Sequence, residues 1–244
     1  MRSLFVILVL IGLISCTRDT SSECFQYYGG VTEELRELPG IIQIDLYDIF
    51  NIYLIQDTVN ELTIKTGDQL LDDIETRVAG KRLYIYNHSR CRWLRKYDRP
   101  ELYLRFMDIE CLRLWEPCRV VTLKPITKPY FKIYSFAKLF EGDIELNNDY
   151  FDFGVNFACN GNTKISGSVH QVSLMNRGVH LLLADSLVSS SADITNISRG
   201  DMWIGNCDTL AVRILLSGNV YYRGDPEIIY SEINSAGKLI RVKN

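Results

Sequence analysis

The chain reads as an all-β protein: a single-stranded β-solenoid with coils of about 20 residues, preceded by a lipoprotein leader and a short polar tether. Three observations carry this reading. Apolar and polar residues alternate over most of the chain beyond Pro39, inward-type pairs recur at near-constant spacing in the second half, and turn-forming clusters separate them. Residues 1–15 read as a signal peptide, 16–38 as an acylated cysteine and tether, and 39–244 as the solenoid domain.

The leader comes first. Arg2 precedes the apolar run Leu4 to Ile14, which at eleven residues is too short to span a bilayer and fits a signal-peptide core. It closes on Leu13-Ile14-Ser15-Cys16, which resembles the lipobox read by the lipoprotein-processing enzymes. That resemblance makes Cys16 the first mature residue, carrying a thioether-linked diacylglycerol and a further amide-linked chain. Each buried methylene contributes about 0.8 kcal/mol, so two or three chains anchor a protein almost permanently. Thr17, not aspartate, follows Cys16, which favours the outer membrane under the sorting rule of some bacteria.

Between Cys16 and Leu38 the sequence is polar and broken by Gly29-Gly30, with room for one short helix around Thr32 to Leu38. Strand patterns follow. Ile42, Ile44 and Leu46 alternate with Gln43 and Asp45, Leu83 and Ile85 with Tyr84 and Tyr86, and Leu102, Leu104 and Phe106 with Tyr103 and Arg105. Only Gln69 to Val78 suits a helical turn or two. In the second half the pairs Phe153/Val155, Val172/Leu174, Ala192/Ile194 and Val212/Ile214 succeed one another at nineteen, twenty and twenty residues. A second series, Ile144, Ile165, Leu183 and Ile204, runs beside them, and Asn176-Arg177-Gly178 and Ser198-Arg199-Gly200 are among the corners. A sandwich also needs many short strands, but it does not need one register to recur four times.

Leu38-Pro39-Gly40-Ile41-Ile42-Gln43-Ile44, Phe50 to Asp57, Ile74 to Val78 and Lys81 to Ile85 resemble the opening of the putative auto-transporter adhesin, head GIN domain family. Ser217 to Pro226, followed by Ser235-Ala236-Gly237-Lys238-Leu239, is similar to its closing motif, so the likeness covers about residues 38 to 243. It implies a β-solenoid of the bacterial envelope, often a lipoprotein, and brings no catalytic residues. In the middle coils the family's Gly-Ser-Gly corners are replaced by mixed Asn, Arg and Ser turns.

Several chemistries are disfavoured. The net charge of -3, about -4 once Arg2 is removed, argues against nucleic acid, whose binding relies on Lys and Arg. No C-x-x-C occurs and His88, His170 and His180 lie far from any cysteine pair, so neither metal nor cofactor is expected. Cys24, Cys91, Cys111, Cys118, Cys159 and Cys207 remain after Cys16. Cys111 and Cys118 either close a small loop or stay as single thiols, and Cys159 and Cys207, more than two coils apart, are not expected to bond.

Two ligand-binding candidates emerge. Arg92, Trp93, Arg95, Lys96 and Tyr97 place guanidinium forks beside ring faces, suited to a phosphate-bearing lipid or glycan, or else form a solvated loop. Tyr221 and Tyr222, with Tyr230 and Trp203, suit a strip on which sugar rings stack, or else cover the last coil. Glu141, Asp143, Glu145, Asp149 and Asp152 raise the question of carboxylate-driven cleavage, with Asp143 and Glu145 outward on one strand and Asp149 and Asp152 in a turn. The expectation is a membrane-anchored envelope protein, non-enzymatic, binding a glycan or protein partner; the alternative is a polysaccharide-cleaving β-helix enzyme. Substituting Cys16→Ala should abolish palmitate labelling in cells, and retained labelling would contradict the lipobox.

Overall fold

A computed structural model describes residues 28–89 and 98–243. Its elements are β1 (Val31–Glu37), β2 (Gln43–Leu46), β3 (Phe50–Gln56), β4 (Glu61–Gly67), a 3-10 turn (Asp68–Leu70), β5 (Ile74–Ala79) and β6 (Arg82–Asn87). Then come β7 (Glu101–Phe106), β8 (Cys111–Leu114), β9 (Cys118–Thr122), β10 (Tyr130–Ser135), β11 (Leu139–Val155), β12 (Asn160–Gly178) and β13 (Leu181–Ser198). The last are β14 (Met202–Ile204), β15 (Cys207–Ile214), β16 (Val220–Tyr222), β17 (Glu227–Ile233) and β18 (Leu239–Arg241).

The ribbon winds as a flattened solenoid with two faces. Across the first face run β5, β6, β2, β8, β10, the second halves of β11, β12 and β13, then β15 and β17. Across the second run β1, β4, β7, β3, β9, the first halves of β11 to β13, then β14, β16 and β18. All pairings are parallel except β1–β4, β4–β7 and β5–β6, which close the N-terminal end. Coil order departs from sequence order there: β2 lies between β6 and β8, and β3 between β7 and β9. β1 is the outermost strand of the second face, β2 and β3 lie further in, and β4 to β7 build the end outside them before the chain passes back to β8.

Inward side chains stack in columns. Phe131, Phe151, Val172, Ala192 and Leu210 form one, and Ile133, Phe153, Leu174, Ile194 and Val212 its neighbour. Each of these is at most 4% exposed, and burying each Val, Leu, Ile or Phe among them contributes roughly 1.5–3 kcal/mol. The expected order holds for Val172 over Ala192 and Leu174 over Ile194. It slips by two residues at Phe153 and Val212, because successive register partners Tyr150, Gln171, Ser191 and Thr209 are 21, 20 and 18 apart. Leu183 does not share the interior with Ile144 and Ile165. A bulge between Lys164 and Ser166 puts Leu182 and Ala184 inside, and Leu183 outside beside Trp203.

Other expectations are corrected at the ends. The helix around Thr32 to Leu38 is strand β1, paired antiparallel with β4, so this part of the supposed tether belongs to the domain. Cys111, Cys118, Cys159 and Cys207 are free thiols. Cys111 lies in the outer row of the first face whereas Cys118 is in the core, which is why seven residues of separation bring no bond. Residues 1–27 lie outside the described residues, and with them the leader, Cys16 and Cys24; so does Cys91.

One corner holds a buried polar column. Asn176 and Asn196 are register partners with no exposed surface. Asn176 Nδ2 donates to the His180 carbonyl at 2.7 Å, and Asn196 Nδ2 to those of Gly200 and Asn219 at 3.2 and 3.3 Å. These amides satisfy carbonyls that the corner removes from the ladder. Gly178 permits the turn: its φ is +89°, and a Cβ there would lie 2.4 Å from the Cys159 carbonyl oxygen. His180, also fully buried, is bracketed by Thr163 Oγ1 and Asn176 Oδ1, each 3.0 Å from a ring nitrogen.

Burial lowers the His180 pKa from 6.5 to about 4, so the fold holds it neutral. Below pH 6.5 the unfolded chain gains a proton that the native state refuses, and stability should fall as pH drops from 6.5 toward 4, by up to about 3 kcal/mol. Chemical denaturation of wild type and His180→Gln checks this. The acid loss should be smaller in the variant, and equal losses would contradict a neutral buried imidazole.

Candidate functional site

The outer surface of the first face carries the site. Alternation sends Leu112, Leu114, Ile133 and Ser135 inward and leaves Cys111, Arg113, Lys132 and Tyr134 outside. Parallel register then aligns Gln43, Cys111, Lys132 and Asp152 in one outer row and Asp45, Arg113, Tyr134 and Gly154 in the next. Tyr47, Trp115, Phe136 and Asn156 make a third, just past the strand ends.

Rings pile face to face along that third row. Centroids are 5.0 Å apart for Tyr86 and Tyr47, 5.6 Å for Tyr47 and Trp115, and 4.4 Å for Trp115 and Phe136. Strand spacing of about 4.8 Å imposes this stacking. The column ends at Phe136, because Asn156 takes the next place. Beneath the rings Asp45 is fully buried. Trp115 Nε1 donates to it at 3.1 Å and Gln43 Nε2 at 2.9 Å, while guanidinium nitrogens of Arg82 and Arg113 lie 3.5 and 3.7 Å away. A buried carboxylate is tolerable only with such partners.

The neighbouring side chains lean apart. Arg113 tilts toward Asp45 with its guanidinium carbon 5.3 and 5.5 Å from the Trp115 and Phe136 centroids. Lys132 and Tyr134 tilt toward the next coil: Lys132 Nζ is 5.7 Å from the Tyr150 centroid, and Tyr134 Oη donates to Asp152. Over the short Cys111 this opens a groove of about 590 Å³, bordered by Gln43, Arg113, Lys132, Tyr134, Phe136 and Asn156, with Ile42, Glu110 and Tyr130 at its margins. Gly154 keeps Tyr134 in place, since a Cβ there would lie 3.0 Å from the Tyr134 ring.

The groove suits binding better than covalent chemistry. Burial raises the Cys111 pKa above its usual value, so the thiol stays protonated and poorly nucleophilic at neutral pH. Burial and the hydrogen bond to Asp152 likewise keep Tyr134 a phenol. Among the described residues no group of three or more His, Cys, Asp or Glu is placed to hold a metal ion.

The residues singled out in the sequence do not converge here. Arg92, Trp93, Arg95, Lys96 and Tyr97 lie outside the described residues. Tyr221 and Tyr222 alternate to opposite sides of β16: Tyr221 stacks on Trp203 at 4.3 Å, while Tyr222 packs against the core. Tyr230 sits on the other face, over Arg213, so the expected aromatic strip reduces to one pair. The acidic group is split too. Asp143 and Glu145 lie on the second face, whereas Asp152 is on the strand of the first and not in a turn. The groove residues went unnoticed although Arg113-Leu114-Trp115 and Lys132-Ile133-Tyr134-Ser135-Phe136 carry a visible signal of basic and aromatic side chains on outward positions.

The chain is thus a two-faced β-solenoid with an aromatic-bordered groove on its outer surface. The family model described as putative auto-transporter adhesin, head GIN domain, matches residues 42–226, and the chain belongs to that family. No curated protein matches it. Crystal structures share the fold. A putative adhesin from Bacteroides fragilis superposes with a TM-score of 0.74 at 15% identity, covering 87% of this chain and 97% of its own. A putative lipid binding protein from Parabacteroides distasonis gives 0.63 at 20% identity, covering 88% and 98%. A putative adhesin from Parabacteroides merdae gives 0.60 at 14%, covering 88% and 97%. No helix among the described residues is long and apolar enough to cross a membrane.

Proposed function

We propose that this protein is a non-enzymatic binding module, anchored in the cell envelope through acyl chains on Cys16, that holds a glycan in the groove between β8 and β10. The end of the ring column carries the reading. Phe136 presents its ring beside Asn156 at one end of the groove, and Gln43 and Glu110 border the other end, so an apolar platform for the C–H face of one sugar is combined with amide and carboxylate groups for hydroxyls further along an extended glycan. The Parabacteroides distasonis relative is by name a putative lipid binding protein; the groove's lining is largely apolar, and the amide and charged side chains set within it favour a hydroxyl-rich ligand over an acyl chain. Glycoside hydrolysis needs two carboxyl groups flanking the bond, and Glu110 is the sole carboxylate among the groove's described lining residues, which favours binding without cleavage.

A panel of envelope and host-surface glycans, followed by calorimetry on the best ligand, tests the reading. Phe136→Ala should weaken binding about tenfold, or about 1.4 kcal/mol. Trp203→Ala, on the opposite face, should leave it unchanged. Absence of binding to any glycan, or equal effects of the two substitutions, would defeat the proposal.

A further inference from the structure

The two ends of the solenoid differ. At the N-terminal end antiparallel strands close the coils, and the edge strand β1 carries Glu33, Glu34, Arg36 and Glu37, the charge pattern that discourages edge pairing. At the C-terminal end β17 and β18 are the last parallel strands among the described residues. On β17 Ile228, Ile229, Tyr230 and Ile233 are 44–58% exposed. Ile229 is the extra residue of a bulge, since Leu210 and Ala211 pair with Ile228 and Tyr230. The edge thus combines unpaired ladder groups with an apolar knob.

Charge tells what fits it. The β17 edge is acidic, with Glu227 and Glu232, whereas the β18 edge is basic, with Lys238 and Lys243; Arg241 beside them is ion-paired with Asp225 at 2.8 Å. We propose that the C-terminal end is a homodimer interface, in which a two-fold axis along the strands sets β17 of one copy antiparallel to β18 of the other. Such an axis exchanges the faces, so the acidic edge meets the basic edge twice in one closed, self-complementary contact. It also preserves position along the strand. Glu227, at the start of β17, then meets Lys243 of the second copy, just beyond β18, and Glu232 meets Lys238. No ion pair or side-chain hydrogen bond engages Glu227 or Lys243 within the chain among the described residues. The inference stands independently of the groove's ligand.

Native mass spectrometry of the detergent-extracted full chain tests it. The wild type should be dimeric, Glu227→Lys and Ile229→Asp should each raise the dimer dissociation constant at least tenfold, and adding Lys243→Glu to Glu227→Lys should restore the dimer. That rescue also shows that Glu227→Lys is compatible with the fold. A monomeric wild type overturns the proposal. So do open polymers, or a dimer indifferent to these substitutions.

Discussion

The structure depends on one constraint: in-register parallel pairing between successive coils, which sets each side chain over its counterpart at the strand spacing. Inside, the same constraint makes columns such as Phe131, Phe151, Val172, Ala192 and Leu210, where each residue is buried by the coil before and the coil after. No coil has a core of its own, so interior stability is a nearest-neighbour property, as in other solenoids. The corners obey it as well, and Asn176 over Asn196 is the polar version of the same stacking.

Outside, register produces the groove. Rings brought to strand spacing pile upon one another, and the pile ends where Asn156 replaces an aromatic. The buried Asp45 draws Arg113 one way and Asp152 draws Tyr134 the other, so two electrostatic attachments on either side hold the gap open. A groove made this way is pre-formed, because its walls are already engaged within the protein, and little ordering remains for ligand binding to supply.

The solenoid was legible because its period is carried by many residues. Val172 and Ala192, or Leu174 and Ile194, align at twenty residues whatever happens at the corners. Phase was harder. Leu181-Leu182-Leu183 has no polar residue to mark which side faces in, and an extra residue in β13, where Leu183 and Ser186 pair with Lys164 and Ser166, sets the phase that leaves Leu183 outward. The strand β1 was hidden because its partner β4 is thirty residues away, and the charges of Val31–Glu37 suit an exposed helix as well as an edge strand. The groove was the least visible feature. Its walls come from β2, β8, β10 and β11, and only the non-sequential placement of β2 beside β8 brings Gln43 and Asp45 to Arg113.

The most direct measurement of the central claim is paired-cysteine closure across one coil. Gln171 and Ser191 are register partners on the outer side, at a separation of about 4.8 Å that a disulfide spans, whereas Gln171 and Thr209 lie two coils apart at about 10 Å, beyond its reach. Under mild oxidation the chain with Gln171→Cys and Ser191→Cys should close its bond rapidly, as read by mass, while Gln171→Cys with Thr209→Cys should stay reduced. Failure of the first pair to close, or equal closure of both, would contradict coils stacked in this register.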